Sequence, residues 1–303
     1  MNVVQKYYTH SGAIGPAGLI LLPLCSAVLG VILGIAHAYG AYYIPYVYLH
    51  FLITLGVGGI LGFVIYQLAK ATKVRNPAFA LVVGLLAGAV IVYCSWVTWL
   101  RIIFAYQIWI LWPREILLAI QVLAKEGVWS IFGTTPTGIT LYVLWAIEAT
   151  LIIGLTGRIA WQKLKATPFC ERCQRWIKEK DTVSPLEPVA NPGILKSQLE
   201  QHLYDDLTAL KRIDYVSSVF TRIELTHCPA CNTLYLLTVQ VVTITATKSN
   251  EAKTTARDII RDFIINAAVY DLLKNHWPEP NELQTEATPA QEDVVAPSPP
   301  STS

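Results

Sequence analysis

Residues Ala78 to Leu100 read AFALVVGLLAGAVIVYCSWVTWL, an apolar run without a single charged side chain. A bilayer's hydrocarbon core takes about 20 helical residues to cross, so this run is long enough to span one. Lipid offers no partner to a backbone N–H or C=O, and a helix satisfies both within the segment. Comparable runs extend on either side, from about 17–38, 47–68 and 138–161. The expected fold is therefore a multi-pass α-helical membrane bundle of about four transmembrane helices, occupying residues 1–161.

Charge divides the chain in two. Residues 11–161 carry ten charges, whereas 162–276 carry 28, of which 15 are basic and 13 acidic. The first part suits lipid and the second water. The near balance of the second part, with no basic stripe interleaved with aromatics, argues against nucleic acid as a partner.

Orientation follows from the connections. The second carries Lys70, Lys73 and Arg75, and the fourth span ends in Arg158, Lys163 and Lys165, while the first connection has no charge. The positive-inside rule then places both termini in the cytoplasm, with a prokaryotic plasma membrane as the expected location. The uncharged connection is crowded with Tyr39, Tyr42, Tyr43, Tyr46 and Tyr48, as an interfacial aromatic belt would be, and Pro45 favours a tight turn there. Segment 101–136, with Trp109, Trp112, Trp129 and a helix-compatible run after Pro113, reads as an interfacial segment. A pair of half-spans is the alternative.

Three spans contain glycine pairs at helix-packing spacing: Gly30 and Gly34, Gly58 and Gly62, Gly84 and Gly88. Such pairs let backbones approach closely, within one chain or between chains. Glu148 lies near the middle of the fourth span. A carboxyl group at that depth is costly and marks either a proton or cation site or a protonated group bonded to a neighbouring hydroxyl, such as Ser26, Thr54, Ser95 or Thr98. His37 and His50 lie toward the outer helix ends, where an imidazole costs little. They read as structural, which leaves Glu148 without a titratable partner at its depth.

The polar part, 162–276, contains Cys170-Glu-Arg-Cys173 and Cys228-Pro-Ala-Cys231. Two thiols separated by two residues form a turn that presents both sulfurs on one side, and two such turns supply a tetrahedral zinc site. His202 and His227 are substitute ligands in principle. Between the turns, Asn191 and Pro192 open an expected helix with Leu195, Leu199, Leu203, Leu207 and Leu210 as its stripe. The runs Val219–Thr226 and Leu234–Thr247 read as strands flanking the second turn. Residues from Glu251 to Asn275 read as a final helix, and 277–303 as a disordered, acidic, Pro-rich tail.

The paired Cys-x-x-Cys motifs between about 168 and 247 resemble the zinc-ribbon class. That resemblance implies a structural zinc on Cys170, Cys173, Cys228 and Cys231 in a small α+β cytoplasmic domain, but no activity, because the class serves many functions. No HExxH, P-loop, GxSxG or paired-carboxylate pattern occurs, so no catalytic residue is assigned. The expected function is a non-enzymatic integral membrane protein whose zinc-stabilised domain, tethered close to the bilayer, docks a protein partner or sibling subunits. A channel or transporter subunit using Glu148 is the alternative, and a membrane thiol-redox protein a third reading.

Overall fold

The structure, a computed structural model, describes residues 6–44, 47–128, 135–213, 217–246 and 252–277. The chain divides into two compact units. One is Thr9–Lys178; the other begins at Glu179 and includes the N-terminal segment through Tyr8. Pro45, Tyr46, Trp129 and the expected tail from residue 278 lie outside the described residues.

The helical unit contains α1 (Pro16–Tyr43), α2 (Val47–Ala71), α3 (Pro77–Ile103), α4 (Pro113–Glu126) and α5 (Ile139–Lys165). Helices α1, α2, α3 and α5 are long and apolar enough to cross a membrane. Local chemistry sets several of their ends. Asn76 Oδ1 accepts from Phe79 N at 3.0 Å, capping α3, with Pro77 at its first position. Helix α2 closes with paired bonds from Lys73 N to Lys70 O and Val74 N to Ala69 O, and Lys73 takes the left-handed backbone that this ending requires.

In the bundle, α1 packs on α3, α3 on α5, and α5 on α2. The glycine pairs sit at these crossings. A Cβ on Gly34 would lie 2.7 Å from Ile91 O in α3, and one on Gly62 would lie 2.8 Å from Thr156 O in α5. Gly84 meets Gly157 so closely that an added Cβ would stand 2.7 Å from the Gly157 Cα. All three pairs therefore serve packing within one chain. Leu61, Ile65, Ala80, Val83, Ile91 and Ile152 fill the space between the helices, while Ile20, Leu52 and Leu86 stay exposed, as lipid-facing side chains would. Helix α4 buries Ile116 against Val97 and Leu100 of α3 and leaves Leu117, Leu118 and Val122 exposed.

After α5 the same unit contains a small hairpin, β1 (Phe169–Cys170) and β2 (Arg175–Trp176). Trp176 Nε1 donates to Lys70 O at 3.0 Å, Arg75 pairs with Glu171, and the Arg75 guanidinium lies 5.1 Å from the centre of the Phe169 ring. The charged α2–α3 connection is thus the platform on which the first cysteine turn rests.

The sheet unit contains β3 (Lys180–Leu186), α6 (Pro192–Glu200), α7 (Asp205–Thr208), β4 (Val219–His227), β5 (Tyr235–Ala246), β6 (Ala252–Ile265) and α8 (Ala267–His276). Its strands form one antiparallel sheet in sequence order, β3-β4-β5-β6. Leu186, Leu195, Leu199, Leu207, Ile223, Leu237, Phe263 and Leu273 form its core. The N-terminal segment adds to the β6 edge: Tyr8 N donates to Asp262 O at 2.8 Å and Ile264 N to Lys6 O at 2.9 Å.

Three expectations in this unit are corrected. The run expected as one helix from Glu251 to Asn275 is mostly strand, with α8 only at its end. Against β5, Val239 faces Ile260 and Leu237 faces Phe263, so β6 carries an extra residue in that interval. The bulge turns a spacing of two into a spacing of three and mimics helical periodicity. The leucine stripe is likewise not one helix. His202 adopts a left-handed backbone, and the bonds His202 N to Leu199 O and Leu203 N to Gln198 O end α6 there. Trp277, assigned to the tail, is buried and donates from Nε1 to Leu210 O at 2.8 Å.

Candidate functional site

The two cysteine turns are built alike. In the first, Cys170 ends β1, Gln174 adopts a left-handed backbone, and its Nε2 returns to Glu171 O at 2.7 Å. In the second, β4 and β5 run antiparallel up to the pair His227 and Tyr235. Cys228 N donates to Leu234 O and Asn232 N to Cys228 O, both at 3.0 Å, and Asn232 is left-handed. Each turn therefore reverses directly after its second cysteine, which leaves the two thiols of the pair on one side. Cys170 and Cys228 are buried. Each turn thus offers a pair of thiols of the kind that ligates a metal ion.

His202 and His227, the two histidines weighed as substitute ligands, are engaged elsewhere. His227 Nδ1 lies 2.8 Å from Tyr270 Oη, which also donates to Asp181, and Lys274 Nζ reaches Asp181 Oδ2 at 3.1 Å. Burial, the Asp181 carboxylate and other nearby negative charge push the Tyr270 hydroxyl well above its ordinary value. Burial works against ionised Asp181, but Tyr270, Lys274 and His227 outweigh it and hold its carboxyl below the ordinary value. His202 pairs with Tyr204 at 3.3 Å.

A second cluster lies within the helical unit. His37 of α1 and His50 of α2 each bring Nε2 to 3.3 Å from the same oxygen, Oε1 of Glu148 in α5. One ligand atom from each of the three lies within 4.8 Å of the others. The His37 side chain is 1% exposed, whereas His50 and Glu148 keep 28% and 27%. One flank of the cluster is therefore open. His37 Nδ1 lies 2.9 Å from Ser95 Oγ of α3, and Thr54 Oγ1 is 3.3 Å from His37 Nε2 while donating to His50 O at 3.0 Å. His50 Nδ1 is buried and has no hydrogen-bond partner among the described residues.

No family model, curated protein or solved structure matches this chain. Its chemistry is therefore read from its own side chains. Glu148 has two titratable partners where the sequence reading left it with none, because three helices bring them together from distant parts of the chain. Of the hydroxyls weighed as partners for a protonated Glu148, Ser95 and Thr54 serve His37, and Ser26 Oγ turns back to Leu22 O at 2.6 Å. The sequence did hold a usable signal. His37 lies six residues before the end of α1 and Glu148 nine after the start of α5, which is about 9 Å and about 14 Å of helix rise.

Proposed function

We propose that this chain is an integral membrane protein that handles a cation at the His37–His50–Glu148 cluster. The observation that carries the reading is the convergence of both imidazoles on Glu148 Oε1, each at 3.3 Å. Ionisable groups inside spans are costly and typically mark ion or proton pathways. A carboxylate between two imidazoles can exchange protons with either or share a bound cation with both. Ser95 holds the His37 ring in place at Nδ1, and the open flank gives an approach from outside the cluster. The basic residues at the inner ends of the helices support an orientation with the cysteine-bearing segment in the cytoplasm. The test is proton and metal-ion flux into liposomes containing the purified protein, compared with Glu148→Gln. Loss of flux in the variant supports the reading; equal flux in both overturns it.

A second reading concerns the four cysteines. Four thiolates form a closed tetrahedral set of the kind that holds structural zinc. With His202 and His227 engaged elsewhere, Cys170, Cys173, Cys228 and Cys231 are the residues that would hold it. The ion would contribute folding energy and no reaction step, and the domain would then serve to dock a protein partner or sibling subunits at the membrane. Co-purification from native membranes tests this reading. A partner lost on Cys228→Ser supports docking, and an unchanged set of bound proteins counts against it.

A further inference from the structure

We propose that His37, His50 and Glu148 hold a divalent transition-metal ion of the zinc class through three protein ligands, with a fourth position left for an exchangeable ligand. The proposal rests on the reading that this cluster handles a cation, and names that cation's chemistry. Distance is the first argument. Both Nε2–Oε1 separations are 3.3 Å, longer than the roughly 2.7–2.9 Å of a charge-assisted N–H···O bond. Ligands about 2.0–2.1 Å from a tetrahedral ion stand about 3.3–3.4 Å apart along each edge. The two edges that meet at Glu148 thus have the spacing of a coordination shell rather than of a direct ion pair, and the ligand atoms of all three residues lie within 4.8 Å of one another.

Donor type is the second argument. Two imidazole nitrogens and one carboxylate oxygen suit zinc and its neighbours in the first transition row, while magnesium and calcium favour oxygen alone. Orientation is the third. A metal-bound histidine characteristically fixes its ring through its other nitrogen, and His37 does so through Nδ1 and Ser95 Oγ at 2.9 Å. With His37 Nδ1 as the donor, its Nε2 presents a lone pair toward Glu148.

Openness is the fourth. A structural zinc site is closed by four protein ligands, whereas sites that exchange ligands keep a position free. Here His50 and Glu148 remain about a quarter exposed, beside the enclosed His37. The two Cys-x-x-Cys turns offer the opposite kind of donor, thiol alone. The chain would therefore hold two metal ions of different character, one fixed and one exchangeable.

The experiment uses full-length protein in detergent, loaded with Co²⁺ and dialysed, with metal per chain measured by elemental analysis and by absorption. The expected wild-type result is two equivalents. One shows the near-ultraviolet sulfur-to-cobalt charge transfer of thiolates. The other adds only visible bands of a nitrogen- and oxygen-bound ion. Glu148→Gln and His50→Gln should each drop to one equivalent and keep the thiolate spectrum, which also reports that the variant has folded. A wild type with a single, thiolate-type equivalent overturns the metal site, even if Glu148→Gln abolishes flux; protons would then be the cation. Two equivalents in either variant overturn it as well. Two equivalents in the wild type with flux indifferent to Glu148→Gln support the metal site and sink the transport reading alone.

Discussion

His37 Nδ1 and Ser95 Oγ lie 2.9 Å apart, linking α1 to α3 beside Glu148. Ser95→Ala would leave an enclosed imidazole nitrogen without its partner. Such a loss costs about 1–3 kcal/mol, and removing an outer partner of a metal-bound histidine weakens metal binding by about tenfold to hundredfold. Ser95→Thr keeps the hydroxyl and should recover most of both. Thermal unfolding in detergent and metal titration of the two variants check this.

The glycines give a paired prediction. Gly62→Ala would put a Cβ 2.8 Å from Thr156 O and 3.0 Å from the Ile159 Cβ, so α2 and α5 must separate. Overpacking of this kind costs about 1–3 kcal/mol. Gly154 of α5 has nothing within 4 Å of its added Cβ, and Gly154→Ala should stabilise the helix by up to about 1 kcal/mol. Unfolding midpoints should move in opposite directions.

Trp176→Phe removes the indole bond to Lys70 O while keeping the ring against Phe169. The expected cost is about 1 kcal/mol for the hydrogen bond. Its effect should be local, with faster proteolysis and hydrogen exchange around residues 169–177 and unchanged exchange in α1.

Asp262 is largely buried beside Thr238, and burial raises its carboxyl above the ordinary value. Asp258 and Glu224 add to that rise, and Arg261 and Lys180 oppose it. An acid with a raised folded pKa is most favourable to the fold below its ordinary value and loses stability as pH rises through the folded one. Asp262→Asn should therefore raise the unfolding temperature at pH 7. The gain should shrink to nothing as the pH falls to about 4 and below. A gain independent of pH would refute this account.

Cys228 is enclosed, and Cys228→Ser changes one atom at little cost in volume. Removing one ligand of a four-thiolate zinc site should release the ion and loosen the fold around it. Zinc content should fall by one equivalent, and residues 179–277 should become protease-sensitive. Undiminished zinc would show that this thiol is not a ligand.

Much of the fold was legible because its signals are local. Apolar length announces helices such as α3, and Asn191–Pro192 announces the start of α6, where Asn191 Oδ1 accepts from Gly193 N and Ile194 N. The hairpin around Cys228 showed in its two β-branched runs. The failures share a different cause. A bulge in β6 disguised a strand as a helix, and the left-handed His202 ended α6 within an unbroken leucine stripe. Both are backbone events that side-chain periodicity does not encode.

Sequence alone determined that the chain has four spans' worth of apolar helix, two Cys-x-x-Cys pairs and an acid, Glu148, within the fourth apolar run, because each is a property of neighbouring residues. Only the tertiary structure decided that the glycine pairs face helices of the same chain and that Glu148 is not isolated. Its partners come from α1 and α2, far away in sequence, and crossings at backbone contact distance bring them within reach. The His37–His50–Glu148 cluster is a product of helix packing, which a one-dimensional pattern cannot display.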